Sequence, residues 1–303
     1  MKSELSKSIP PVRIDNVSKH FRKVTAVDKL TLDVNPGDVL ALIGANGSGK
    51  STTFRLLLSI YQASSGEAYL LGTPSAKLNG KDFEQICYVS EGQKLPLWMT
   101  VEYFLGFCSQ LYPSWDHDLC NRLVEAFGLP LQQKIKHLSR GQRMKALVAS
   151  TLPCRPKVLL LDEPFSGLDV ETRAQLASLL NRLAKDDGLA TVITTHDVEE
   201  VEPVANRIAI LANGRLQINE ALDPFLGRHR RLTIEGDSEV SLPKEFLERV
   251  KTTQTLEGLQ EFHTDQFDAS MESELNSAFP EALSVKAHPM SLREILTKKA
   301  VQL

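Results

Sequence analysis

The stretch at 39–52, VLALIGANGSGKST, constrains this chain more than any other. Five apolar residues suit a buried strand. The next nine, Gly44, Ala45, Asn46, Gly47, Ser48, Gly49, Lys50, Ser51 and Thr52, fit G-x-x-x-x-G-K-[ST]. Glycines in such a loop let backbone N–H groups turn inward around phosphate oxygens, and the following helix N-terminus adds a favourable dipole. Lys50 is expected to reach the β- and γ-phosphates and the Ser51 hydroxyl to ligate Mg²⁺. A flexible glycine turn with a solvated lysine could carry the same letters. It would not need an apolar strand before it and a helix, here about Gly49 to Ile60, after it.

The rest of the chain supplies an α/β frame for that loop. VRIDNV and LTLDV alternate apolar and polar residues, as half-buried strands do, and NPGD at 35–38 is a turn. The segment from about 91 to 150 reads as helical. Thr100 can cap one helix, and Leu119, Leu123, Val124 and Phe127 share a face of another that Gly128 and Pro130 stop. KVLLLD and ATVITTH are short apolar runs suited to buried parallel strands. Between them, Leu176, Leu179, Leu180 and Leu183 form a helical stripe ending before Gly188. RIAIL, Asn213-Gly214 and RLQI read as a hairpin.

The expected fold is therefore an α/β phosphate-loop NTPase core. It has a mainly parallel sheet, an N-terminal antiparallel β subdomain and an α-helical insertion at about 91–150. The pattern changes after FLGRHRR, with Arg228–Arg231 read as a solvated linker. Two domains follow: 1–228, and a small α+β C-terminal extension at 229–303 with short strands and helices near 243–251 and 268–278.

Two acids close the strand VLLLDEP. Asp162 can hold magnesium through water, and Glu163, one residue on, can face an attacking water as general base. An exposed acidic turn would look similar in isolation. His196 closes the apolar strand TVITTH, where it suits a γ-phosphate sensor better than a purely structural histidine. The stretch LSRGQRMKALVAS at 138–150 raises a separate question. Ser139 suits an N-cap, Gln142 completes a capping box, and Met144, Leu147 and Val148 fall on one helical face. Its start also looks built for an anion, although no phosphate loop lies beside it.

The net charge of −3 and the 42% apolar, 24% charged composition are those of a globular protein with no electrostatic claim on nucleic acid. The four cysteines form no CxxC pair, which suits a reduced, intracellular chain. The start MKSELSKSIPPVRI lacks a signal-peptide core, and no apolar run is long enough to span a bilayer.

With these residues assembled, residues 11–225 resemble an ATP-binding cassette (ABC) ATPase, a family whose usual string at 138–142 is LSGGQ. The resemblance implies a head-to-tail dimer in which Ser139, the Gly141 backbone and the helix start with Gln142 bind the γ-phosphate of the ATP held by the partner's loop. Arg140 stands where glycine is usual. Phe21 in KHFRKV matches the aromatic that stacks on adenine. Asp169 in SGLD would help align the two sites. The family's glutamine contacting Mg²⁺ falls in register on Glu91, with Gln93 two residues late, and which of the two enters the site stays open.

The resemblance implies ATP and Mg²⁺ as cofactors and ATP hydrolysis catalysed by Glu163 with His196 and Lys50. The implied partners are a second ABC ATPase subunit, self or homologue, and an integral-membrane permease subunit, with no nucleic acid. The chain would sit on the cytoplasmic face of the membrane through that subunit. Glu91 and the terminal MSLREIL point to the drug- and antibiotic-export branch. KLPLWMTVEYFL would meet the permease, though burial inside the insertion explains the same apolar residues equally well. A soluble, non-transport ABC ATPase is the alternative. DNA-repair members of that kind carry a long coiled coil between Lys50 and Ser139, and translation members carry two phosphate loops; this chain has neither.

Overall fold

The computed structural model describes residues 9–90, 92–235, 246, 249–256, 259–268, 270–279, 282 and 284–299. Two compact units divide after Asn219.

In the first unit, β1 (Val12–Phe21), β2 (Val24–Val34), β4 (Ser65–Leu70) and the short β5 (Thr73–Pro74) form an antiparallel sheet in the order β2-β1-β4-β5. The inward faces of β1 and β2 bury Val12, Ile14, Leu30, Leu32 and Val34. That is the alternation visible in the sequence.

The second sheet has six strands in the order β10-β9-β3-β8-β7-β6. They are β3 (Val39–Ile43), β6 (Ile86–Ser90), β7 (Val158–Asp162), β8 (Ala190–Thr195), β9 (Arg207–Ala212) and β10 (Arg215–Ala221). β9, β3, β8, β7 and β6 are mutually parallel. β3 and β8 are buried throughout, which is why they read as unbroken apolar runs. Parallel strands bring their carboxyl ends to one edge, where α/β proteins place ligands. Ile43, Asp162 and Thr195 all end there.

Helix α1 (Lys50–Leu57) follows the loop after β3. It is shorter than the sequence suggested, because Ser59 takes a left-handed φ of 59°. A short α2 (Gly80–Phe83) precedes β6. The helical insertion holds α3 (Val101–Leu111), α4 (His117–Ala126) and α5 (Arg140–Ala149). Thr100, Asp116 and Ser139 cap them through their side chains. Arg155 bonds Asp116 and, at 2.8 Å, Asp187, joining the start of α4 to the end of α6 (Val170–Asp187). The leucine stripe of α6 is buried, and Gly188 ends the helix at a left-handed φ of 66°.

The second unit contains α7 (Leu222–Arg228) and a four-stranded sheet in the order β12-β13-β11-β14. Its strands are β11 (Arg230–Glu235), β12 (Val250–Leu256), β13 (Leu259–Thr264) and β14 (Ser284–Pro289). Leu232, Ile234, Phe246, Phe262, Met271 and Leu275 make a separate small core.

Three sequence expectations change here. Arg228–Arg231 is no solvated linker: Arg228 is ion-paired with Glu220, His229 is buried, and Arg230 and Arg231 open β11. The helix expected over 243–251 falls mostly outside the described residues; Phe246 within it is helical, and its last two residues, Val250 and Lys251, begin a strand. A helix at Leu292–Lys298 was not foreseen, although Ser291 and Glu294 form a legible capping box. The helix expected near 268–278 runs over Met271–Ala278.

Candidate nucleotide site

The loop between β3 and α1 is shaped by its glycines. Gly47 and Gly49 hold φ of 85° and 112°, and a Cβ on Gly44 or Gly49 would lie 2.3 or 2.5 Å from a backbone oxygen. The loop borders a cleft of about 420 Å³. Asn46, Gly47, Gly49, Lys50, Ser51 and Thr52 line it, with Asp162 and Glu163 opposite. Lys50 is 6% exposed, and its ammonium donates to the carbonyls of Gly44 at 2.5 Å and Ala45 at 3.2 Å. Burial pulls its pKa below the ordinary lysine value, opposed by the charges of Glu163 and Asp162. The Ser48 hydroxyl is buried with no hydrogen-bond partner among the described residues.

The carboxylates occupy the end of β7. Asp162 accepts from Thr194 Oγ1 at 2.5 Å and lies 3.4 Å from both the Ser51 and Tyr88 hydroxyls. Burial, first of all, raises the Tyr88 pKa, which keeps it a donor. Glu163 takes φ of 53°, a left-handed conformation that costs a non-glycine residue about 1–3 kcal/mol and clusters at functional sites. Its N–H donates to the Thr194 carbonyl at 3.1 Å and lies 3.2 Å from Thr194 Oγ1, which fixes the turn. One Glu163 oxygen lies 3.9 Å from Lys50 Nζ, and the other 2.9 Å from His196 Nδ1. A carboxylate only accepts, so His196 carries its proton on Nδ1.

Other expected residues lie elsewhere. Ser139, Gly141, Gln142 and Asp169 do not line this cleft. Ser139 and Gln142 form a reciprocal capping box, with Gln142 N 3.2 Å from Ser139 Oγ and Ser139 N 2.9 Å from Gln142 Oε1. A Cβ on Gly141 would come 3.1 Å from the Gly167 carbonyl. Arg140 donates to Ser166 Oγ at 2.7 Å, tying the start of α5 to the loop after Glu163. Asp169 caps α6 by accepting from Thr172 N at 2.8 Å, and that bond lowers its pKa.

Phe21 is 38% exposed at the end of β1, packed edge-on against Tyr61 at 5.2 Å, with Lys19 Nζ 4.9 Å from its ring centre. Glu91 lies outside the described residues. Its neighbours Ser90 and Gly92 line the cleft, whereas Gln93 lines an adjoining hollow with Arg140 and Ser166. Tyr88 and Thr194, which hold Asp162, escaped the sequence reading. Their signal was position alone, near the ends of strands flanking β7.

Among the described residues, no helix is long and apolar enough to cross a membrane. The insertion exposes Leu97, Trp98, Tyr103, Phe107 and Leu111 while burying Met99, Val101, Phe104 and Leu105. Within KLPLWMTVEYFL, burial inside the insertion accounts for Met99, Val101, Phe104 and Leu105 but not for the exposed Leu97, Trp98 and Tyr103.

A family model described as ABC transporter matches residues 27–166. The sulfate/thiosulfate import ATP-binding protein CysA of Xanthomonas campestris pv. campestris is 35% identical over 215 residues, 68% of this chain and 62% of that protein. The probable sulfate/thiosulfate import ATP-binding protein CysA of Chlorella vulgaris is 34% identical over 216 residues, 69% of this chain and 91% of that protein. A solved ATP-binding subunit of an ABC transporter matches with a TM-score of 0.65 at 26% identity, over 71% of this chain and 91% of that one. The chain spans about three fifths of the length of several bacterial relatives that it matches.

Proposed function

The chain belongs to the ABC transporter family, and on that premise we propose that it is the ATP-binding and ATP-hydrolysing subunit of a multi-subunit transporter. One observation carries the reading. Lys50, Ser51, Asp162 and Glu163 converge at the carboxyl ends of β3 and β7, around one cleft.

The loop N–H groups and Lys50 bind the β- and γ-phosphates, for which Lys50 would exchange its bonds to the Gly44 and Ala45 carbonyls. Ser51 and Asp162 offer Mg²⁺ hard oxygen donors 3.4 Å apart, a set that fits the ion. When bound, Mg²⁺ neutralises phosphate charge. Glu163 takes the proton of the attacking water. His196 orients Glu163 through Nδ1, and its Nε2 can donate to the γ-phosphate only when the ring is protonated. Phe21 stacks on adenine.

Two copies, or this chain and a homologue, would close head to tail, with Ser139, Gly141 and Gln142 of one facing the loop of the other. Asp169 then aligns the sites by holding the start of α6. The apolar face of Leu97, Trp98, Tyr103, Phe107 and Leu111 would receive a membrane subunit and so place the chain on the cytoplasmic side. The first unit, to Asn219, forms the ATPase domain and Glu220–Val301 an accessory domain, whose start lies before the 229 expected from sequence. The export direction rests on Glu91 and MSLREIL, whereas the relatives named above are import proteins. Flux measured in vesicles with the membrane subunit decides between the two.

The purified chain, alone or with its membrane subunit, should turn over ATP only with Mg²⁺, and Lys50→Ala should abolish binding of a fluorescent ATP analogue. Turnover undiminished by chelation, or unchanged nucleotide affinity in Lys50→Ala, would overturn the reading.

A further inference from the structure

The second unit contains a cavity of about 280 Å³, far from any residue used above in sequence and lined wholly from within that unit. Such a volume lies just under the range of drug-sized sites, so its occupant is small. Val250, Met290 and Ile295 give it an apolar side. Three cations, Arg249, Lys298 and Lys299, line it against one carboxylate, Asp265.

Most polar groups here are committed. Arg249 reaches Asp268 at 2.6 Å and the Gln266 carbonyl at 3.2 Å, and Lys299 reaches Asp265 at 3.3 Å. His263 lies 3.2 Å from Glu261 and 3.4 Å from Met290 Sδ. Two groups stand apart. Lys298 makes no ion pair among the described residues. His229 is 4% exposed and its Nε2 has no hydrogen-bond partner among them.

The state of His229 follows from its other nitrogen. Nδ1 lies 2.6 Å from the Phe225 carbonyl, which only accepts, so Nδ1 holds the proton. With Nδ1–H held by that carbonyl, Nε2 of the neutral ring presents a lone pair, and burial favours this neutral form. A buried acceptor left without a partner is costly. Its partner must donate, while Lys298, the lining cation that no described carboxylate pairs, selects negative charge; Arg249 is paired with Asp268 and Glu274 and Lys299 with Asp265.

We propose that this cavity is a binding site for a small hydroxy acid, its carboxylate on Lys298 and its hydroxyl donating to His229 Nε2. A simple carboxylate lacks the donor. An amino acid has a donor but no net negative charge to meet Lys298.

Titrating the full chain with L-lactate, acetate and L-alanine, followed by calorimetry and by the His229 ring resonances, tests this. Lactate should bind and shift the His229 signals, with acetate and alanine each about tenfold weaker, the scale of one hydrogen bond or charge contact. His229→Phe should bring lactate down to acetate. Lys298→Glu, on an exposed helical surface and so safe for folding, should weaken lactate by at least about tenfold. Equal binding of all three acids, unmoved His229 signals, or full lactate affinity in Lys298→Glu would overturn the proposal.

Discussion

The chain begins two helices with anion-seeking N-termini, and they differ in what surrounds them. At α1 the loop glycines, a 6% exposed lysine and two carboxylates enclose a cleft within one subunit. At α5 the first turn is capped by Ser139 and Gln142, with Ser139 and Arg140 exposed and Gly141, Gln142 and Arg143 half-buried. A helix N-terminus is a ready anion site in both cases. Only α1 has its counter-residues in the same cleft. On the proposed head-to-tail pairing, α5 supplies half of a site that a second subunit's loop completes.

The largest expected effect tests the enclosed half. Glu163→Gln should lower ATP turnover by about 10²–10⁴-fold, the usual worth of a general base, while nucleotide binding persists. Steady-state hydrolysis beside a nucleotide titration checks it, and turnover near the parent rate would remove Glu163 from that role. The same variant should trap an ATP-bound dimer, which makes it the background for the exposed half. There, Ser139→Arg removes the cap hydroxyl and fills the expected phosphate position. ATP-driven dimerisation, read by light scattering, should disappear in the double variant while monomer ATP binding stays near normal. Full dimerisation would sink the idea that α5 serves another subunit's nucleotide.

Smaller effects sharpen the picture. Phe21→Ala should weaken ATP binding by about 1–3 kcal/mol if the ring stacks on adenine, a range taken from base–aromatic stacking. Unchanged affinity in a folded variant would leave Phe21 as packing for Tyr61. The last effect concerns the second unit only. Burial lowers the pKa of His229 and His263, so the unfolded chain binds more protons than the folded one below the ordinary histidine value. Their contribution to stability is complete above about pH 6.5 and fades as pH falls through the lowered values. Once the base-catalysed intrinsic rate is divided out, the protection of β11 and β13 against hydrogen exchange should therefore fall from pH 7.5 to pH 5.5 more than that of β3 and β8. Equal loss of protection in both units would refute this.

What could be read from the letters was whatever local chemistry settles by itself. The phosphate loop needs its glycines whatever the rest of the chain does, and Gly44 and Gly49 show why: a side chain there meets backbone at 2.3 or 2.5 Å. The leucine stripe of α6, the unbroken apolar runs of β3 and β8, the Asn213-Gly214 turn and the Ser139–Gln142 box are likewise periodicity or capping within a few residues. They sufficed for the α/β class and the order of its parts. The same local capping chemistry was present at Ser291–Glu294 and passed unread.

Contacts between residues distant in sequence were decided only by the tertiary structure. Thr194 and Tyr88 hold Asp162 because β6 and β8 flank β7, a strand order that no local pattern states. Arg140 reaches Ser166, and His196 reaches Glu163, across 26 and 33 residues of chain. Arg228–Arg231 looks like a solvated charge run until Glu220 pairs with one member and the sheet takes up two others. A side chain's letter fixes what it can donate, accept or bury. Which partner it meets depends on how the strands are ordered and the helices laid against them, and that ordering is settled by burial of the whole core at once.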